Sequence, residues 1–368
     1  MSVNGGIEMN VLVKSIPIDP IEEAISTVEN SADAGGDYNT IVGENGDDTI
    51  ISGGGDDAVF GRRGNDTLYS GFGNDRVHGG DGHDTIYGGL GDDGLHGNEG
   101  DDTLYGGRGH DNLSGSEGND TLYGGRGNDS LHGGGGDDMI YGESGNDDLF
   151  GGGGNDTLYG GRGHDVIFGN IGDNVLSGGG GNDVVFGGAG NDRIFGGTGN
   201  DYLIGGGGND QISGGAGNDQ IEGSQGHNTI TGDAGDDFIL VGRDTSEVDG
   251  GTGSDWIAAN LQEGVDHRLT GGAGADTFEF YNTAIDAVSD IVITDFELGQ
   301  DRVLIEGLID FHFLRLVGSV FWSGPVYEVS NSQTGILLEM GTGDSITFEG
   351  VSLDDFNAYY FGVDNAIW

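Results

Sequence analysis

From Ile50 to Ile239 an Ile, Leu or Val stands at every ninth position, in 22 consecutive units without an insertion or deletion. Between these positions the chain is rich in Gly, Asp and Asn, and the unit that runs from Gly43 to Leu240 reads G-G-x-G-x-D-x-U-x, with U aliphatic. A single apolar position flanked by two that face water is the period-2 alternation of a short strand, not the stripe of a helix. The pattern predicts a three-residue strand x-U-x in each unit, pointing out, in and out, joined by turns of six residues. Consecutive units then return on opposite sides of a thin aliphatic core, one coil takes 18 residues, and two parallel sheets face each other. Eleven such coils at about 4.8 Å each make a rod roughly 50 Å long. The expected fold is all-β: a parallel β-roll, or β-solenoid, of nonapeptide repeats with a β-rich C-terminal cap.

Outside the regular run the pattern weakens in steps. Residues 1–33 carry no repeat. Val11 to Ile16 suits a short strand, and Asp19-Pro20 ahead of Ile21, Ile25 and Val28 suits a capped turn of helix, so this segment is either a cap on the open end of the coil or a mobile leader. Residues 34–42 and 241–249 are degenerate units in register, Gly250–Ala258 is a good one, twelve irregular residues follow, and Gly271–Glu279 is the last clean copy. Beyond Phe280 the stretches Asp290–Phe296, Arg302–Ile305, Ile336–Met340 and Ser345–Phe348 read as strands. The expected division is a leader or cap at 1–33, repeats at 34–258, and a last repeat with the cap at 259–368.

Position four is Gly in all 22 units, and position five is Asn, Asp or His in all of them. Gly at positions one, two and four is expected to supply backbone conformations that a Cβ forbids and to let successive turns stack closely. Asn, Asp and His at position five are the non-Gly residues most tolerant of the left-handed region, which makes His83, His110, His164 and His227 turn residues and not ligands.

Composition changes the picture in one direction. The chain of 368 residues has 83 Gly and no Cys, and 64 acidic against 12 basic residues give a formal charge of -52. No disulfide or thiolate site is possible. Such a charge argues against nucleic acid and anionic membranes as partners and for divalent cations as counter-charge. No apolar run reaches the roughly 18 residues of a membrane span. One buried aliphatic residue per nine is too thin a core to offset the ordering of the backbone, so something must bind in the turns. An Asp carboxylate and Gly-turn carbonyls recur at each edge of every coil, a ladder of hard-oxygen sites suited to calcium, roughly 20 ions in all.

The expected calcium ligands divide between two edges by parity. One edge carries Asp57, Asp75, Asp93, Asp111, Asp129, Asp147, Asp165, Asp183, Asp201, Asp219 and Asp237. The other carries Asp48, Asp66, Asp84, Asp102, Asp120, Asp138, Asp156, Asp192 and Asp210, with Asn174 and Asn228 in the two remaining places. Asp255 and Asp276 extend the set in the later copies. A neutral amide is a poorer calcium ligand, so calcium is expected to be weaker or missing beside the two Asn residues.

These residues carry a resemblance. Over residues 43–279 the chain resembles the RTX (repeats-in-toxin) proteins with hemolysin-type calcium-binding nonapeptide repeats. Ser289 to Phe296, and on to Gly299-Gln300-Asp301, resembles the segment after the last repeat in RTX proteases and epimerase R-modules. The resemblance implies a β-roll with calcium between the turns of units n and n+2, held by sixth-position Asp residues and turn carbonyls. It also implies a secreted, extracellular or surface-associated protein, exported by a type I secretion apparatus through an uncleaved C-terminal signal. That fits a first ten residues without a basic or apolar signal region. The acidic, then aromatic tail from Asp354 to Trp368 is compatible with such a signal.

The ninth position is also ordered by parity. Tyr69, Tyr87, Tyr105, Tyr123, Tyr141 and Tyr159 stack on one outer face, beside a row formed by Thr49, Thr67, Thr85, Thr103, Thr121 and Thr157. Phe60, His78, His96, His132, Phe150, Phe168 and Phe186 line the other, with a gap at Ser114. Such ladders either stabilise exposed sheets through neighbour pairs or offer a flat platform for polysaccharide, ice or lateral association. No catalytic constellation stands apart from the repeat. H-E-x-x-H and a strand–elbow–helix G-x-S-x-G are both absent, and His267 and His312 have no recognisable partners. The expected role is therefore non-catalytic: a calcium-folded structural, adhesive or surface-binding module, or a carbohydrate- or ice-binding rod.

Overall fold

The computed structural model describes residues 38–261, 265–282, 290–297 and 300–306, and the strands at 320–321, 326–331, 335–340 and 345–349. The leader 1–33, His312 and the tail from Asp354 lie outside the described residues.

The chain is an all-β parallel solenoid with about 18 residues per turn and about 13 turns. Each unit places its aliphatic residue inward: Leu104, Leu122, Ile140 and Leu158 are fully buried and lie in register on neighbouring coils. The strands are longer than the sequence suggests. Thr121–Arg126, for example, spans positions seven to nine and continues through positions one to three of the next unit. The chain bends at Gly124, between the two paired stretches, so each six-residue strand covers part of one sheet and one corner.

Two sheets result. One has 16 strands, starting at Thr40–Val42 and ending with Arg302–Glu306 and Val320–Phe321. The other starts at Thr49–Gly54, runs in parallel to Asp290–Ile293, and adds Ser345–Glu349 in parallel. It then reverses: Gly335–Met340 and Val326–Asn331 pair antiparallel. These last strands form the C-terminal cap.

The coil does not stop where the clean repeat stops. Glu247 pairs with Arg268 and Trp256 with Thr277, so the irregular residues after Ala258 form a coil lengthened by three residues while its strands keep register. Further lengthening separates His267 from its partner Ile291 and Thr277 from Arg302. Bulkier Phe278 and Phe280, both buried, fill this wider end. Among the described residues no helix is long and apolar enough to cross a membrane.

Candidate metal centres

The sixth-position Asp side chains are buried, although nothing in the sequence period marks them as interior. Asp129 is 1% exposed, and its Oδ1 accepts the backbone N–H of Asp111 at 2.8 Å. In turn the N–H of Asp129 is accepted by Asp147 Oδ1 at 2.8 Å. The same bond runs along both edges, from the N–H of one coil to the sixth-position side chain of the next, which is a carboxylate except at Asn174, Asn228 and Ser246. The other oxygen is different. In twenty residues, Asp57 to Asp165 at every unit and then Asp183, Asp192, Asp201, Asp210, Asp219, Asp237 and Asp255, the buried Oδ2 has no hydrogen-bond partner. A buried carboxylate oxygen without a donor is costly unless a cation faces it.

Position-one glycine shapes the space that Oδ2 faces. A Cβ at Gly124 would lie 2.6 Å from Asp129 Oδ2 and 3.0 Å from the carbonyl oxygen of Gly142 in the next coil. Gly is needed here for room, because its φ is not in the left-handed region. Positions two and four differ: Gly125 and Gly127 have φ of 108° and 135°. The non-Gly residues of the described chain with positive φ, among them Glu143 and Asn170, all stand at position two.

The two Asn exceptions test what the space requires. Asn174 keeps the ladder bond, with Oδ1 accepting the N–H of Asp156 at 2.9 Å, and uses its Nδ2 to donate to the Gly172 carbonyl at 3.0 Å. Asn228 Oδ1 accepts the N–H of Asp210, and its Nδ2 donates to the Gly223 carbonyl at 2.8 Å. Where the second terminal atom is NH2, it reaches a turn carbonyl directly. Where it is oxygen, two acceptors are left facing each other, which is the donor set of a hard cation. Among the described residues no three acidic or His side chains converge on one point. An ion here would be held by few carboxylates and completed by carbonyls.

The electrostatics agree. Burial, reinforced by neighbouring carboxylates, pushes Asp93 up to about 8 and Asp102, Asp111 and Asp147 up to about 7. A divalent ion beside Oδ2 reverses this and restores the anion.

Two predicted sites, Asp48 and Asp276, are not among these twenty orphaned oxygens. Asp48, the first of its edge, has its Oδ2 accepting the Glu44 N–H at 2.8 Å. Asp276 Oδ1 accepts the Asp255 N–H at 3.0 Å across the lengthened coil, and Asp301 then ends this edge. Both Asp301 oxygens accept backbone N–H groups, from Asp276 and Glu297. Sequence reasoning missed Asp301 because the lengthened coils hide its register. It also missed that the other edge runs out of carboxylates. After Asp210 its sixth positions are Asn228, Ser246 and His267, and His267 is buried with its pKa pushed down to about 4 by that burial.

Position five corrects the expectation about left-handed turns: no residue there has positive φ. These side chains accept instead. Asn65 Oδ1 accepts the His83 N–H, and His83 Nδ1 accepts the Asp101 N–H, at 2.9 and 2.8 Å. Asn, Asp and His share an acceptor on the atom attached to Cγ, which explains the choice. His83, His110 and His164 each accept from the following coil in this way.

The model of the RTX calcium-binding nonapeptide repeat matches nine overlapping segments, from 33–68 to 213–248, which together cover more than half of the chain. The chain belongs to this RTX family. RTX repeats bind calcium, and the Asp ladders described above are the repeat's acidic positions. No curated protein matches the chain. Among solved structures, the extracellular lipase LipA from Serratia marcescens is similar over 79% of this RTX chain at 15% identity, with a TM-score of 0.18. The match spans 43% of the lipase.

Proposed function

We propose that this RTX protein is a secreted, non-catalytic rod whose assembly is its switch. At low calcium the chain, at -52, is held open by its own charge. In calcium-rich surroundings each bound ion joins an Asp Oδ2 to turn carbonyls, and binding free energy becomes folding free energy. The single observation that carries this reading is the set of twenty buried, unpartnered Oδ2 atoms, interrupted at Asn174 and Asn228, where the amide supplies its own donor, and at Ser246. The twenty Asp residues from Asp57 to Asp255 would hold the ions, one per orphaned oxygen. Export through a type I channel as an unfolded chain fits this switch, and the folded rod then acts as a structural, adhesive or surface-binding module.

A calorimetric calcium titration of the full chain, followed by circular dichroism, tests it. The expected result is about 20 ions bound with gain of β structure, and loss of both in chelator. A rod that stays folded in excess chelator, or binds fewer than about ten ions, overturns it.

A second reading, a ligand face for ice or polysaccharide, has one observation in its favour. Thr67, Thr85, Thr103 and Thr121 lie in register beside the Tyr row, one per coil. Sugar stacking on the Tyr row is less favoured, since Tyr87, Tyr105, Tyr123 and Tyr141 each have both ring faces against other rings, at 4.7–5.2 Å. Glycan-array binding in calcium that is lost on replacing Thr103 and Thr121 by Val would support it.

A further inference from the structure

The aromatic ladder on the 16-stranded sheet lacks one rung. Phe60, His78 and His96 stack in one group, and His132, Phe150, Phe168 and Phe186 in another, at 4.5–5.3 Å per step. Between them stands Ser114, in register with His96 on one side and His132 on the other. The outer face of each imidazole is covered, His96 by His78 and His132 by Phe150. Their inner faces look at each other across two strand spacings, about 9.6 Å. One planar group inserted there would stack on both at the spacing used elsewhere in the ladder. The opening is real in the surface: His132 and Gly134 are exposed, whereas their counterparts on neighbouring strands, His96, Phe150, Ser116 and Gly152, are only half-exposed. The floor is polar, with Ser114 Oγ and Ser116 Oγ 3.3 Å apart.

The geometry points to this notch as a binding site for a planar cation, the guanidinium of an arginine side chain presented by a partner. Three observations select that chemistry. Burial holds the pKa of both imidazoles below the ordinary value, so they are neutral π-faces at neutral pH. Asp148 acts electrostatically on His132, and Glu99 and Glu117 lie on the strands that carry His96 and Ser114. The chain also shows what it places over a bare ring. On the other sheet Phe195 has Ser177 and Ser213 as neighbours, not rings, and the guanidinium carbon of Arg193 lies 5.8 Å from its centroid. A planar guanidinium stacks on such faces better than the compact ammonium of lysine.

The test uses the calcium-loaded full chain and follows the imidazole resonances of His96 and His132 during titration with N-acetyl-arginine amide and, separately, N-acetyl-lysine amide. The arginine probe should shift both residues saturably and bind about threefold or more tightly than the lysine probe. Ser114→Phe, which supplies the missing rung with a residue the row already uses, should fold normally and lose the response. His132→Ser, which leaves one ring face, should lose it as well. No shift at tens of millimolar probe, equal affinity for the two probes, or an undiminished response in Ser114→Phe overturns the assignment.

Discussion

Asn174 donates from Nδ2 to the Gly172 carbonyl at 3.0 Å, in the place where every neighbouring unit has a carboxylate oxygen with no donor. One atom thus separates a turn that closes on itself from a turn that needs an ion. Asn174→Asp should raise the calorimetric calcium stoichiometry by about one and make the roll more dependent on calcium. Asp129→Asn should lower it by about one but fold at lower calcium, because the amide takes the carbonyl. Asp129→Ala keeps neither bond and should cost about 1–3 kcal/mol in saturating calcium, measured by urea unfolding.

Protons should substitute for calcium. The ladder acids have raised pKa values in the calcium-free roll, Asp93 to about 8 and Asp111 to about 7, against 3.8 when unfolded. The folded state binds more protons than the open chain between these values, so this stability is complete below about 4 and is lost as pH rises through the folded values. His267, pushed down to about 4, works the other way, losing stability as pH falls below its unfolded 6.5, but it is one group against a ladder. In chelator, far-ultraviolet circular dichroism should therefore show β structure appearing as pH is lowered from 8 towards 4.5. A chelated chain that stays equally unfolded at both pH values would contradict this.

At position five the acceptor matters and the imidazole does not. His110 Nδ1 accepts the Asn128 N–H at 2.8 Å. His110→Asn should be neutral in calcium, whereas His110→Leu should cost about 0.5–1.5 kcal/mol, the value of one hydrogen bond with no replacement.

The Tyr ladder should behave as a stabilising stack. Tyr123 lies 4.9 Å from the ring centroids of both Tyr105 and Tyr141, within 3° of parallel. Tyr123→Ser should cost about 1–2 kcal/mol and reduce the near-ultraviolet tyrosine circular dichroism by more than the share of one of the 12 tyrosines, since two pairs break and not one ring alone.

The period was legible because its cause is steric and repeats without variation: Ile50 to Ile239 mark the core, and parity alone placed Asn174 and Asn228 on one edge. What the residue pattern hid was direction. Asp at position six and Asn at position five look alike in sequence, yet Asp129 accepts from the preceding coil and Asn128 Oδ1 from the following one, at Asn146. Of the two reasons for Gly, close stacking holds at position one and backbone conformation does not. Asp301 and His267 were unreadable because insertions at the wide end break the count of nine while leaving the strand register intact.

A stack of identical parallel rungs is an open template at each end, since its last strand offers the next copy of the same chain the very edge that its own next coil would use. The reversal at the C-terminal end answers this. Gly335–Met340 runs against the direction of the rungs, and the edge strand Val326–Asn331 turns back to it with the sequence VYEVSN, so the final edge of that sheet no longer carries the Gly–Asp repeat. That edge offers a second copy no repeat to continue, which disfavours head-to-tail joining through this sheet. A hairpin laid on the last rung thus breaks off the period that a fibre would have to continue.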